Sequence, residues 1–192
     1  MSNIKKMKGK QRIQAEFDKL SNDENINNNF GVDFWDPNSY NPDVMHWQIT
    51  LIPPKGTGYE EGFYKIEAKF KDSYPDTPPK MKFLTRIYHC NISEINGHIC
   101  LNSLKYSWKP TMTMEDILNH IIFLLYNQNP KDPLNREAAR QYLLNENEFN
   151  EKVKRTVKEY ANLDDYENSN KQNIETLDYC TCIECGRFSS FF

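Results

Sequence analysis

Phe63-Tyr64-Lys65-Ile66-Glu67-Ala68-Lys69-Phe70 sets Tyr64, Ile66, Ala68 and Phe70 in alternation with Lys65, Glu67 and Lys69. A period of two marks a strand with one face on a core and the other toward water. Upstream, Met45 to Ile52 is rich in aromatic and β-branched residues and stops at Pro53-Pro54, which offers no N–H to a ladder. Gly56, Gly58 and Gly62 punctuate the turn between these two runs. Downstream, Met81 and Phe83 alternate with Lys80 and Lys82, and Val32 to Phe34 supplies a short opening strand. The runs follow in close order, which predicts a four-stranded antiparallel meander with one wet face.

The period changes on either side of this sheet. In Gln11 to Leu20 the residues Ile13, Phe17 and Leu20 share a helical face, and the helix enters through a basic stub, residues 1–10, with Lys5, Lys6, Lys8 and Lys10. Positive charge opposes the helix dipole there, so those lysines serve to solvate the end or to meet an acidic partner. Asn22 to Asn29 is an Asn-rich loop. After the sheet, Thr113 with Asp116 resembles a capping box and opens Met114 to Tyr126, apolar almost all round, which predicts a central buried helix. It stops before Asn127-Gln128-Asn129-Pro130. Two further amphipathic helices are predicted, over Asn135 to Leu144 and over Glu148 to Ala161. The expected class is α+β: an N-terminal helix, the meander, a long loop and three C-terminal helices.

A chain of 192 residues accommodates one such domain, residues 11–163, with a self-sufficient core. Residues 164–192 turn acidic and polar and read as a flexible tail outside the fold. The 24 basic and 27 acidic residues nearly balance, which argues against nucleic acid or an anionic membrane and for protein partners. No run of signal-peptide or membrane-span length is present, and the cysteine count is odd at 5, so a soluble cytoplasmic or nuclear protein with reduced thiols is expected. Cys180, Cys182 and Cys185 lie in the tail without a nearby histidine and fall short of a closed four-ligand zinc site, so no metal is expected.

Residues 84–112 keep no sustained period. A long irregular stretch inside a compact domain is commonly a functional loop. It holds Asn91 and, nine residues on, Cys100 between Ile99 and Leu101, just past the turn signal Asn96-Gly97. A thiolate attacks activated carbonyls, and a carboxamide N–H can stabilise the resulting oxyanion, so the pair is compatible with acyl transfer through a thioester. The alternative is a small buried hydrophobe, the commoner state of a lone Cys in apolar company. A Cys-His hydrolase built from His98 and Cys100 fits poorly, because such enzymes draw the base from a distant segment and set the thiol at a helix start.

Five motifs in order carry a resemblance. Tyr74-Pro75-Asp76-Thr77-Pro78-Pro79-Lys80, Tyr88-His89-Cys90-Asn91-Ile92, Gly97-His98-Ile99-Cys100-Leu101, Trp108-Lys109-Pro110 and Asn129-Pro130-Lys131-Asp132-Pro133-Leu134 make the chain from about Gln11 to Ala161 resemble the ubiquitin-conjugating enzymes. Cys100-Leu101-Asn102, Trp108-Lys109-Pro110 and Asp132 to Ala139 make it resemble the branch that carries the Nedd-type modifier, with ubiquitin as the alternative. The resemblance implies that Cys100 accepts the modifier from an activating enzyme as a thioester and passes it to a target lysine with a RING-type ligase. It implies that Asn91 stabilises the oxyanion or holds the loop that shapes it, and that Asp132 orients the lysine and helps take its proton. Capping of the following helix is the competing role for Asp132. Arg12, Asp76, Lys109, Pro110 and Thr111 are the implied partner surface. No cofactor is implied on the carrier itself, since ATP is used by the activating enzyme upstream.

Three features depart from the pattern. Cys90 stands where the family has proline, which removes a fixed φ and adds a second thiol beside the site. Asp76 and Thr77 are polar where ubiquitin carriers often present a bulky apolar side chain to ligases. The amino-terminal docking extension of the neddylation branch is represented by the short basic stub alone. A non-catalytic scaffold of the same fold is the remaining alternative, against which stand Cys100, Asn91 and Asp132 together.

Overall fold

The computed structural model describes residues 2–22, 29–36, 40–100 and 108–163, with side chains from residue 8 onward. The sheet is built from β1 (Phe30–Phe34), β2 (His46–Leu51), β3 (Tyr64–Lys69) and β4 (Lys80–Phe83), antiparallel in the order β1-β2-β3-β4. The register stacks like with like. Val32, Ile49, Ile66 and Phe83 lie side by side across all the strands, and Phe34, Trp47, Ala68 and Met81 form the next row of the same face. Trp47, Ile49, Ile66 and Ala68 are fully buried, which is the core half of the alternation read in Tyr64 to Phe70.

The opposite face is less wet than the alternation implies. Glu67 is buried there because His46 Nε2, Lys69 Nζ and Lys82 Nζ converge on its carboxylate at 3.0, 2.8 and 3.1 Å. Burial alone would push this carboxyl up; the bonds from Lys69, Lys82 and His46 outweigh it and hold the pKa at about 2.

Helix α1 (Ser2–Asn22) runs through the basic stub without a break. Gly9 lets it lie close against the Tyr74 carbonyl: a Cβ at Gly9 would sit 2.6 Å from that oxygen. Ile13 and Leu20 are buried as their spacing predicts, and Phe17 stacks on Phe34 at 4.0 Å and meets Trp47 edge-on at 5.3 Å. The aromatic contacts continue through Phe70 and Tyr74 to Trp108, so helix, sheet and the loop after residue 107 share one core.

Helix α2 (Met114–Tyr126) begins at the predicted capping box, with the Thr113 hydroxyl accepting from Asp116 N–H and the Asp116 carboxylate accepting from Thr113 N–H. It is a half-buried helix rather than an all-round buried one. Met114, Ile117, Leu118, Ile121 and Leu125 pack inward, while Phe123 is 62% exposed and Tyr126 47%. Helices α3 (Arg136–Leu144) and α4 (Glu146–Tyr160) are separated by Asn145 alone, whose side chain caps α4 by accepting from Glu148 N–H. That cap starts α4 two residues before the expected Glu148, because Asn145 satisfies an orphan donor of the first turn. The expected tail, residues 164–192, lies outside the described residues.

One carboxylate ties α1 to the rest. Glu16 accepts from Arg12 Nε, from the buried Tyr74 hydroxyl at 2.8 and 2.9 Å to its two oxygens, and from Met114 N–H at the start of α2. Glu16→Ala leaves the Tyr74 hydroxyl and the Met114 N–H without this acceptor. Urea denaturation is expected to show a loss of about 1–3 kcal/mol with an unchanged m value.

Candidate active site

The site is assembled by a short return of the chain. Gly97 turns it at φ 69°, and no other residue fits, because a Cβ there would lie 1.9 Å from the Phe83 carbonyl oxygen. Phe83 N–H donates to Gly97 O at 2.8 Å, Ser93 N–H to His98 O at 2.9 Å, and Ile92 bridges Ile99 in antiparallel fashion. The next pairing follows: Cys100 N–H donates to Asn91 O at 2.8 Å. Two residues nine apart in sequence become direct neighbours, anchored to the end of β4.

A second segment is drawn in against this return. The Cys90 carbonyl accepts from Leu134 N–H at 2.9 Å and Asn135 N–H at 3.0 Å, just ahead of α3. The Asn91 carboxamide donates to Asn129 O at 2.7 Å and Asp132 O at 3.0 Å, and its Oδ1 accepts from Asn129 N–H at 2.8 Å. Both its donors are therefore spent on the 129–132 turn. In this geometry Asn91 holds the loop, the second of the two roles implied by its motif, and has no amide hydrogen aimed at an oxyanion above Cys100.

The turn so held brings the Asp132 carboxylate to Cys100: the thiol donates to Oδ2 over 3.4 Å. Asp132 is exposed, whereas Cys100 is 8% exposed. Capping of α3 falls to Asn135, whose Oδ1 accepts from Ala138 N–H at 3.0 Å, which leaves the Asp132 carboxylate beside the sulfur. An exposed carboxylate beside a thiol keeps lone pairs open to a further hydrogen-bond donor.

His89 was not singled out from the sequence, yet it sits at the centre. Its ring is fully buried, Nδ1 accepts from Asn91 N–H at 2.9 Å, and Nε2 lies 3.1 Å from Leu124 O, which assigns the proton to Nε2. Burial pushes its pKa down to about 4, with the Leu124 bond opposing. In the sequence Gln128 is only part of a helix stop, but its side chain accepts from Cys90 N–H. The signal was the run of carboxamides Asn127-Gln128-Asn129 after a largely apolar helix, more polar groups than a stop requires.

The implied partner residues fall into two groups. Asp76, Lys109, Pro110 and Thr111 are exposed, and the Trp108 indole N–H donates to Pro75 O at 2.8 Å, joining their two loops. Arg12 is turned inward on the same region: its guanidinium donates to the carbonyls of Pro110 and Met112 and to Glu16, and lies over the Tyr74 ring. Arg12 thus secures the loop that presents Lys109, Pro110 and Thr111. Among the described residues, no group of three or more His, Cys, Asp or Glu is placed to hold a metal, and no helix is long and apolar enough to cross a membrane.

Residues 12–157 match the family model for ubiquitin-conjugating enzyme. The chain belongs to the ubiquitin-conjugating enzyme family. Two solved structures place the resemblance on the backbone. A candidate ubiquitin-conjugating enzyme from Plasmodium yoelii is 32% identical, with a TM-score of 0.73 over 81% of this chain and 96% of its own. The E2 domain of a ubiquitin-conjugating enzyme from Toxoplasma gondii is 30% identical, with a TM-score of 0.70 over 79% of this chain and 97% of its own. Membership implies an activating enzyme, a ligase and protein substrates as partners in general.

Two outcomes are expected from this ubiquitin-conjugating domain. Because Cys90 is fully buried and burial pushes its thiol up to about 11, iodoacetamide on the native protein should label Cys100 well before Cys90, read by peptide mass spectrometry, with Cys90 reacting on unfolding. His89 has a folded pKa of about 4 against an ordinary 6.5, so the unfolded chain binds the extra proton between them. Its contribution to stability is complete above about 6.5 and is lost as pH falls toward 4. The stability difference between wild type and His89→Gln, from denaturation at each pH, should shrink across that window.

Proposed function

We propose that the chain is a working carrier. The Cys100 thiolate attacks the thioester carbonyl of a modifier held by an activating enzyme; a new C–S bond forms and the donor enzyme's thiolate leaves. A target lysine ε-amine, giving its proton to Asp132, then attacks the Cys100 thioester. The amide bond forms as the Cys100 thiolate departs. The observation that carries this reading is the 3.4 Å contact between Cys100 Sγ and Asp132 Oδ2, which sets a carboxylate where the amine must approach. Asn91 supports the reaction through the 129–132 turn. Asp76, Lys109, Pro110 and Thr111 are the surface for ligase and activating enzyme, the last three presented by the loop that Arg12 secures and Asp76 by the loop that Trp108 joins to it.

The Nedd-type modifier is favoured by Cys100-Leu101-Asn102, by Trp108-Lys109-Pro110 and by Asp132 to Ala139. Ubiquitin is the second reading, favoured by the names of both solved relatives. A charging assay separates them. The protein is given ATP and either ubiquitin with its activating enzyme or the Nedd-type modifier with its own, and adducts are resolved on a non-reducing gel. A thiol-sensitive adduct with the Nedd-type modifier alone is expected, replaced by a reduction-resistant ester or by nothing in Cys100→Ser. Asp132→Ala should still charge but pass the modifier to free lysine roughly 10²–10⁴-fold more slowly. Unchanged target modification by Cys100→Ala would instead make the chain a scaffold.

A further inference from the structure

The Cys90–Asn91 pair carries the geometry of the site, and its polar groups are matched one by one. Cys90 O takes Leu134 and Asn135, Asn91 N–H goes to His89 Nδ1, Asn91 O takes Cys100 N–H, and the Asn91 carboxamide takes the 129–132 turn. The Cys90 N–H goes to a side chain that neither the motifs nor the mechanism uses: Gln128 Oε1 accepts it at 3.0 Å. The other end of that carboxamide is also engaged. Gln128 Nε2 donates to the Tyr59 hydroxyl at 3.3 Å, and Tyr59 in turn donates to Tyr88 O at 2.8 Å. The directions agree throughout, since a flipped amide would face the Cys90 N–H with a second donor.

We infer that Gln128 is a positioning residue for lysine discharge, acting through the Cys90 N–H and braced by Tyr59. The inference rests on the carrier reading above. Cys90 is fully buried, as is Tyr88, so the Cys90 N–H has no water to turn to when Gln128 is removed. The segment at 88–91 must then shift toward another acceptor or keep an unpaired donor. In the first case Asn91 moves, and in the second it loses a restraint; both loosen the turn bearing Asp132 and the residue paired to Cys100. Charging needs only an accessible thiolate at Cys100. Discharge needs the carboxylate and the thioester in register, and a misplacement of about 1 Å can cost about 100-fold. The two half-reactions should therefore respond differently.

The same geometry supplies an internal control. Proline has no N–H, so Cys90→Pro deletes the group that Gln128 serves. If Gln128 acts through that N–H, its own substitution loses most of its effect once the N–H is gone.

The experiment measures both half-reactions for wild type, Gln128→Leu, Cys90→Pro and the double variant. Charging is followed with ATP, activating enzyme and whichever of ubiquitin or the Nedd-type modifier loads Cys100; single-turnover discharge of the purified thioester is followed with free lysine. Gln128→Leu is expected to slow discharge about tenfold or more while charging slows less than twofold, and to cost less than twofold in discharge on the Cys90→Pro background. Discharge at the wild-type rate in Gln128→Leu, or the same loss on both backgrounds, overturns the role. Amide hydrogen exchange at Cys90, compared between wild type and Gln128→Leu, needs no second variant. Faster exchange at Cys90 in the variant supports the contact, and equal protection overturns it. A wild-type chain that takes up neither modifier overturns the carrier reading and this role with it; normal charging with unaltered discharge overturns this role alone.

Discussion

The Asn91 carboxamide is the constraint on which the site depends. A primary amide offers two donors and an acceptor, and here all are used on the backbone of one turn, Asn129 to Asp132. No other short side chain supplies two donors and an acceptor at once: a serine or threonine hydroxyl has one donor, aspartate would face two carbonyls with like charge, and leucine would leave all three backbone groups bare. Because Asn91 O also receives Cys100 N–H, the same residue fixes Cys100 and the turn that bears the carboxylate.

This arrangement answers a conflict of requirements. On the proposed carrier reading the thiol has to be reached by a modifier's carboxyl terminus and by a lysine, yet its neighbours must not drift. The chain buries the frame and leaves the Asp132 carboxylate at the surface, with Cys100 8% exposed beside it. His89 and Cys90 are inside the protein and Asn91 almost so, while Asp132 stands at the surface. Neutral His89 belongs to that frame. Its unprotonated Nδ1 is the acceptor for Asn91 N–H, so the buried ring works as a fixed donor–acceptor strut rather than as a proton carrier.

A second frame supports the loop after residue 107. Glu16 gathers Arg12, Tyr74 and the first turn of α2, and Arg12 holds the Pro110 and Met112 carbonyls. The loop carrying Lys109, Pro110 and Thr111 is therefore anchored to α1. Any partner that grips this loop also feels the start of α2 through the same carboxylate. The polar side of the sheet is organised around a single charge too, with Glu67 buried only because three cationic or hydrogen-bonding neighbours surround it.

The strands, the capping box at Thr113 and the order of elements follow from local signals: period two, period 3.6 and cap chemistry act over a few residues and survive without knowledge of neighbours. The pairing of Cys100 with Asn91 is partly of this kind, since Asn96-Gly97 announces the turn that makes it. What α2 would bury was not legible, because an apolar helix does not say which of its sides meets the sheet, and Phe123 ended outside. The roles of Asn91, His89, Gln128 and Arg12 were decided by the tertiary structure alone. Each depends on a hydrogen-bond partner that only the completed fold brings within about 3 Å, such as Asn129 for Asn91 or Pro110 for Arg12. Sequence by itself determined that a cysteine, an asparagine and an aspartate were available in family spacing. Long-range packing decided that the aspartate would reach the sulfur and that the asparagine would spend itself holding the aspartate there.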